Sequence, residues 1–125
     1  RKIAKFYHKH LNHLSDYLIP NEQYNNLSSY HLFIVRLNLK NFKNVSKDKF
    51  INFMKKNNIN LQFHYKPIYN YSFFKKKNRY KVSFKINSEK YFKNAVSLPI
   101  YYNLDQKSLK KIIAIINKFI NKYKK

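Results

Sequence analysis

The residues with the most chemical potential lie in one run, Gln62-Phe63-His64-Tyr65-Lys66-Pro67, just before a proline that redirects the chain. An amide, an aromatic ring, an imidazole, a phenol and an ammonium follow one another there, and strand ends leading into loops commonly present ligands with their binding groups. His64 and Tyr65 could hydrogen-bond a sugar hydroxyl or a pyrophosphate, with Phe63 as an apolar wall. From the residues alone, a structural histidine at a strand terminus is the better account. A second histidine group, His8, His10 and His13, shares one helical stretch. Metal binding would need neutral imidazoles converging with carboxylates or thiolates, and only Asp16 is near, so a solvated or half-buried helix face is expected and no metal site.

Other chemistries are excluded by what the chain lacks. The five acidic residues, Asp16, Glu22, Asp48, Glu89 and Asp105, are scattered, which leaves no acid–base pair and no two-metal site. There is no glycine, hence no glycine-rich phosphate loop of the Rossmann or P-loop kind. There is no cysteine, hence no thiol nucleophile, zinc–thiolate site or disulfide framework. Catalysis carried by this chain alone is not expected.

The elements that must position the Gln62–Tyr65 run follow from periodicity. Ile3, Phe6, Tyr7, His10, Leu11 and Leu14 form a helical stripe that should stop before Pro20. The run Tyr30 to Leu37, rich in β-branched and aromatic residues, reads as a central strand. Ser46 is a plausible cap for a helix turning Phe50, Ile51 and Met54 inward, and Asn57-Asn58 can end it, because Asn tolerates the left-handed conformation. Asn60 to Tyr65 alternates Leu61, Phe63 and Tyr65 against Gln62 and His64, as a strand does, and Pro67 ends it. The aromatic and basic stretch Tyr69–Lys81 has no clean period; a loop with a short helix is the commoner form, a stacking platform for single-stranded nucleic acid the rarer. A short helix near Ser88 to Ala95 leads into Ser97-Leu98-Pro99-Ile100. The last helix is capped by Asp105 and carries the stripe Leu109, Ile112, Ile113, Ile116, Phe119, Ile120, Tyr123. The order implies an α/β fold, a small α+β domain in which helices cover a short sheet.

At 125 residues with 44 % hydrophobic side chains the chain can bury one core. The formal charge of +22 invites a nucleic-acid reading. Against it, Arg occurs only at Arg1, Arg36 and Arg79, and Lys, Asn, Ile, Tyr and Phe are inflated together. All are read from AT-rich codons, so nucleotide bias accounts for the composition without selection for charge, and a nucleic-acid partner is not expected. No apolar run approaches the roughly 20 residues of a membrane span, and a cytoplasmic location is the default. The chain opens on Arg1 inside a helical pattern, which is expected of a cut through a longer protein.

Leu61-Gln62-Phe63-His64-Tyr65-Lys66-Pro67-Ile68-Tyr69, followed by Ser97-Leu98-Pro99-Ile100-Tyr101 and a helix after Leu104-Asp105, resembles the C-terminal region of the DegT/DnrJ/EryC1/StrS sugar aminotransferases. The strand SSYHLFIVRL and the helix before NNINLQFHYKPIY fall in the matching order, so the resemblance covers nearly the whole chain. Within that family HYKPIY is most similar to the transaminases of pseudaminic acid synthesis. The resemblance implies residues 1–125 as the small domain of a pyridoxal-phosphate enzyme of fold type I, with the large cofactor-binding domain and its Schiff-base lysine upstream, so that no catalytic residue is nominated here. It further implies glutamate as amino donor, a UDP-linked 4-keto-6-deoxy-N-acetyl sugar as acceptor, a homodimer, and a nucleotide-sugar pocket lined by Gln62, Phe63, His64 and Tyr65. Asn58 stands where the family usually has glycine.

Overall fold

A computed structural model describes residues 1–25, 27–63, 65–76 and 86–125. Helix α1 (Lys2–Leu11) and a 3-10 turn (Asn12–Leu14) lead to strand β1 (Leu18–Pro20). Strand β2 (Phe33–Leu37), helix α2 (Lys47–Lys56), strand β3 (Gln62–Phe63), the short helix α3 (Ser72–Lys76), helix α4 (Ile86–Asn94), strand β4 (Ala95–Leu98) and helix α5 (Gln106–Tyr123) follow. The strands form one sheet in the order β1-β2-β4-β3, each neighbouring pair antiparallel. This is a small α/β domain with helices over a short sheet.

The register sorts the two faces. Phe33, Val35 and Leu37 of β2 stand opposite Leu98, Val96 and, on β1, Leu18. All six are buried in one cluster with Ala4, Tyr7 and Leu11 of α1, Phe50 and Met54 of α2, and the inner stripe of α5. Helices α1, α5 and α2 therefore form a layer over that face. Burial of a side chain such as Ile116 or Phe119, both fully enclosed, contributes about 1.5–3 kcal/mol each. Phe119 sits among the rings of Phe42, Phe50 and Phe53 at centroid distances of 5.7, 4.9 and 5.1 Å. On the other face, α4 lies against β2, with Tyr91 near Arg36.

Both predicted helix caps are present. Ser46 Oγ accepts from the Lys49 backbone N–H at 3.1 Å, and Asp105 Oδ1 from that of Ser108 at 2.6 Å, each satisfying one of the free donors of a first turn. Asn58 ends α2 at φ 60°, in the left-handed region. The α5 stripe is buried as expected, with Tyr123 packed at its margin.

The first helix stops before Pro20 as expected, at Leu11 with a 3-10 turn to Leu14, and Pro20 pairs with Val35 as the last residue of β1, on an edge strand that can lack an N–H. Three expectations are corrected. The strand expected from Tyr30 starts at Phe33, because Tyr30 has φ 51° and lies in a turn closed by Ser28 Oγ. Helix α4 ends at Asn94, and Ala95 already belongs to β4, an interior strand with every residue buried. Of the strand expected over Asn60–Tyr65, the described residues that pair are Gln62 and Phe63. No helix among the described residues is long and apolar enough to cross a membrane.

Candidate functional site

The site is built outward from the end of α2. Asn58 N–H donates to the Lys55 carbonyl at 2.9 Å and Ile59 N–H to the Met54 carbonyl at 3.0 Å, a tight reversal that sends the chain back along the sheet edge. Buried Ile59 and Leu61 hold the returning segment against the core. Gln62 then pairs with Ser97 and Phe63 with Val96. Side chains alternate along a strand, so Phe63 shares the helix-covered face with Leu61 and Val96, while Gln62 shares the opposite face with Ser97. The predicted pocket residues are therefore split between the two faces at β3. His64 lies outside the described residues.

Exposure rises steeply along the segment: Leu61 is 8 % exposed, Phe63 69 % and Tyr65 93 %. Leu61 belongs to the core cluster with Phe50 and Met54 of α2, and Phe63 lies outside it. Beyond Pro67 a 3-10 turn (Ile68–Asn70) leads into α3, with Ile68 and Phe73 also largely exposed. Lys66 Nζ lies 5.6 Å from the centre of the Tyr71 ring, and the Tyr69 hydroxyl donates to Ser88 Oγ at 3.4 Å. The stretch expected to be a loop with a short helix is of that form up to Lys76; its remainder, Lys77–Lys81, lies outside the described residues.

Beside Phe63 an open groove of about 630 Å³ is walled by Leu39, Val45, Ile51 and Phe92. Among its polar lining residues, Ser46, Lys47, Asp48, Asn52 and Lys93, the buried one is Lys47, which sequence reasoning missed. This lysine is buried, and its Nζ donates to the Phe92 carbonyl while standing 4.2 Å from the Phe92 ring centre. Burial pulls the ammonium below the usual lysine range, with Asp48 acting weakly the other way. Nothing in the sequence marks it, because a lysine after a helix cap ordinarily points to solvent.

The second motif, Ser97 to Tyr101, crosses the domain. Ser97 and Leu98 are buried in β4, and the Pro99 carbonyl accepts from the buried Tyr7 hydroxyl at 2.7 Å. That bond satisfies the phenol, whose ionisation burial suppresses. Tyr101 and Tyr102 emerge beyond it on the surface, beside Arg1, Lys2 and His31 at a groove of about 690 Å³. Of the N-terminal histidines, His10 stacks on Phe6 at 4.1 Å and His8 is ringed by Tyr24, Tyr30 and Phe33. Among the described residues no group of three metal-ligating side chains converges.

A pyridoxal-phosphate site needs a lysine amine free to bond the aldehyde and donors around a phosphate. At the β3 edge the described residues do not supply these groups: Lys47 is engaged with Phe92, and β3 itself carries no cation. No step through that cofactor is derived from this chain's residues.

Comparison with known proteins follows the same segments. The model of the DegT/DnrJ/EryC1/StrS aminotransferase family matches residues 1–117. The uncharacterized protein MJ1066 of Methanocaldococcus jannaschii is 26 % identical over 120 residues, 96 % of this chain and 31 % of that protein. Among solved structures, Helicobacter pylori PseC, described as an aminotransferase of pseudoaminic acid biosynthesis, superposes with a TM-score of 0.81 at 25 % identity, covering 97 % of this chain and 32 % of PseC. The aminotransferase TlmJ of Streptoalloteichus hindustanus shares the fold, with a TM-score of 0.79 at 18 % identity over 98 % of this chain and 31 % of its own. The chain thus spans about a third of the length of the relatives it matches.

Proposed function

Since the chain belongs to the DegT/DnrJ/EryC1/StrS aminotransferase family, we propose that it is the C-terminal small domain of a pyridoxal-phosphate-dependent aminotransferase acting on a nucleotide sugar. The amino group passes from glutamate to C4 of a UDP-linked 4-keto-6-deoxy-N-acetylhexose, the chemistry implied by the HYKPIY motif. The observation that carries the reading is the match through residues 1–117, which spans both motifs. The likeness to PseC at 25 % identity supports the pseudaminic acid branch of the family.

In this reading the cofactor and its lysine belong to the larger domain, and the enzyme works as a homodimer in the cytoplasm. The small domain contributes the β3 edge. Gln62 and His64 offer hydrogen bonds to the sugar or pyrophosphate, Phe63 an apolar wall and Tyr65 a phenol. The exposure of Phe63 and Tyr65 supports this assignment, because large rings left open at a sheet edge suit contact with something outside the chain.

The test uses the full-length protein. Its visible cofactor absorbance is expected to bleach on adding glutamate and to return on adding the UDP-linked 4-keto sugar. His64→Ala and Tyr65→Phe are expected to raise KM for the sugar while leaving the glutamate half-reaction unchanged. A protein that binds no cofactor, or one whose glutamate half-reaction falls with these substitutions, overturns the reading.

A further inference from the structure

The outer surface of the helical layer is a cationic sheet of charge. On α5, Lys107, Lys111, Lys118 and Lys122 recur at four- and seven-residue spacing, one exposed stripe turned away from the buried stripe of Leu109, Ile112, Ile113, Ile116, Phe119 and Ile120. Lys110 is exposed beside them. The flanking helices, which pack against α5, add exposed Lys5 and Lys9 from α1 and Lys55 and Lys56 from α2. Within the three helices the only carboxylate is Asp48, and at the start of α5 the cap Asp105 interacts electrostatically with Lys107. Like charges at four-residue spacing repel along a helix, so the layer sustains a cost that a polyanion would relieve.

The composition of the surface selects the kind of polyanion. None of the large exposed apolar side chains, such as Phe63, Tyr65, Ile68 and Tyr102, lies on α1, α2 or α5. The rings on these helices, such as Phe6, Phe53 and Tyr123, are only partly exposed and packed against the core, so none stands free to insert into a lipid bilayer or stack on an unpaired base. What it offers is a row of flexible ammonium groups along an α5 helix about 27 Å long, the span of roughly 8 base pairs of duplex. We propose that this α1–α5–α2 face binds the phosphate backbone of double-stranded nucleic acid without regard to sequence. The proposal does not draw on the Gln62–Tyr65 segment, so it stands apart from the aminotransferase reading.

Binding of a labelled 20-base-pair duplex to the full-length protein, followed by fluorescence anisotropy from 50 to 300 mM NaCl, tests it. Log affinity should fall linearly with log salt with a slope of about −5, on the order of 0.9 per phosphate neutralised. The variant K107Q/K111Q/K118Q/K122Q should lose about 3 units of that slope, with its helix content by circular dichroism unchanged, because Gln keeps helix propensity close to that of Lys. A control carrying Lys40→Gln, Lys43→Gln, Lys90→Gln and Lys93→Gln, all exposed outside the layer, should lose at most about 1 unit. Equal losses in both variants, no binding at 50 mM NaCl, or binding to phosphatidylserine vesicles in place of the duplex each overturns the proposal.

Discussion

The domain has two contrasting regions joined at Asn58. On one side, the α5 layer closes over β2 and β4 with its first turn capped and its apolar stripe enclosed. On the other, β3 and the chain to α3 carry aromatic rings of the same size and leave them in solvent. Phe119 and Phe63 are the same residue type, yet one is fully buried and the other 69 % exposed. Aromatic content alone therefore says little here. What separates packing from presentation is whether neighbouring elements cover the ring, and the core cluster that encloses Leu61 does not extend to Phe63.

The sharpest way to break this comparison is to truncate both rings. Phe119→Ala should cost about 3–5 kcal/mol, since it opens a cavity among Phe42, Phe50 and Phe53 that the capped helix cannot collapse to fill. Phe63→Ala should change stability by less than about 0.5 kcal/mol, as expected of a surface position. Urea unfolding monitored by circular dichroism measures both. A loss for Phe63→Ala approaching that for Phe119→Ala would show that the edge is packed and the contrast false.

A smaller effect is expected where the two regions meet. Asn58 holds φ 60°, a conformation that side chains with a Cβ and no local hydrogen-bonding group adopt at a cost of roughly 1–2 kcal/mol. Asn58→Ala should therefore destabilise by about 1 kcal/mol, while Asn58→Gly should be neutral or slightly stabilising. If Asn58→Ala is neutral, the reversal that aims β3 along the sheet is held by Ile59 and Leu61 instead, and Asn58 does not join the regions.

The same contrast decides what could be read from the sequence. The α5 stripe and both caps were legible because a period of 3.6 over five turns, with Asp105 and Ser46 at the starts, has no competing interpretation. Strand β4 was not, because Ala95 to Leu98 is short, buried on both faces and so without alternation. The tyrosine at position 30 looked like the start of a strand, but its hydroxyl bonds Asn25 and its ring stacks on Tyr24, tertiary contacts that pay for a left-handed backbone. At the candidate site the alternation is seen at the paired residues Gln62 and Phe63, and the exposure of Phe63 was not legible. Period tells which side a residue takes, not whether a neighbouring element covers it. Lys47 gave no signal at all, since its burial comes from Phe92, far along the chain.

The subtlest effect concerns His8, on the packed side of the comparison. Its Nε2 is buried with no hydrogen-bond partner, enclosed by Phe33 at 5.0 Å, Tyr24 at 5.7 Å and Tyr30 at 6.2 Å. Burial holds the imidazole below its ordinary value of 6.5, and Glu22 offsets this only in part. The unfolded chain then takes up a proton at this residue more readily than the native one, so the native state has its full advantage above pH 6.5 and loses it as the pH falls below that value. Asp105, whose carboxyl is held low chiefly by the Ser108 backbone N–H, loses its contribution in a separate window below the ordinary carboxylate range. Urea midpoints measured at pH 7.5, 6.5 and 5.5 should therefore decline toward acid, and His8→Phe should flatten that decline while leaving the fall at lower pH in place. An unchanged slope in His8→Phe would mean that the imidazole is wet in solution and that the packed side is open at β1, just where the contrast with β3 requires it to be closed.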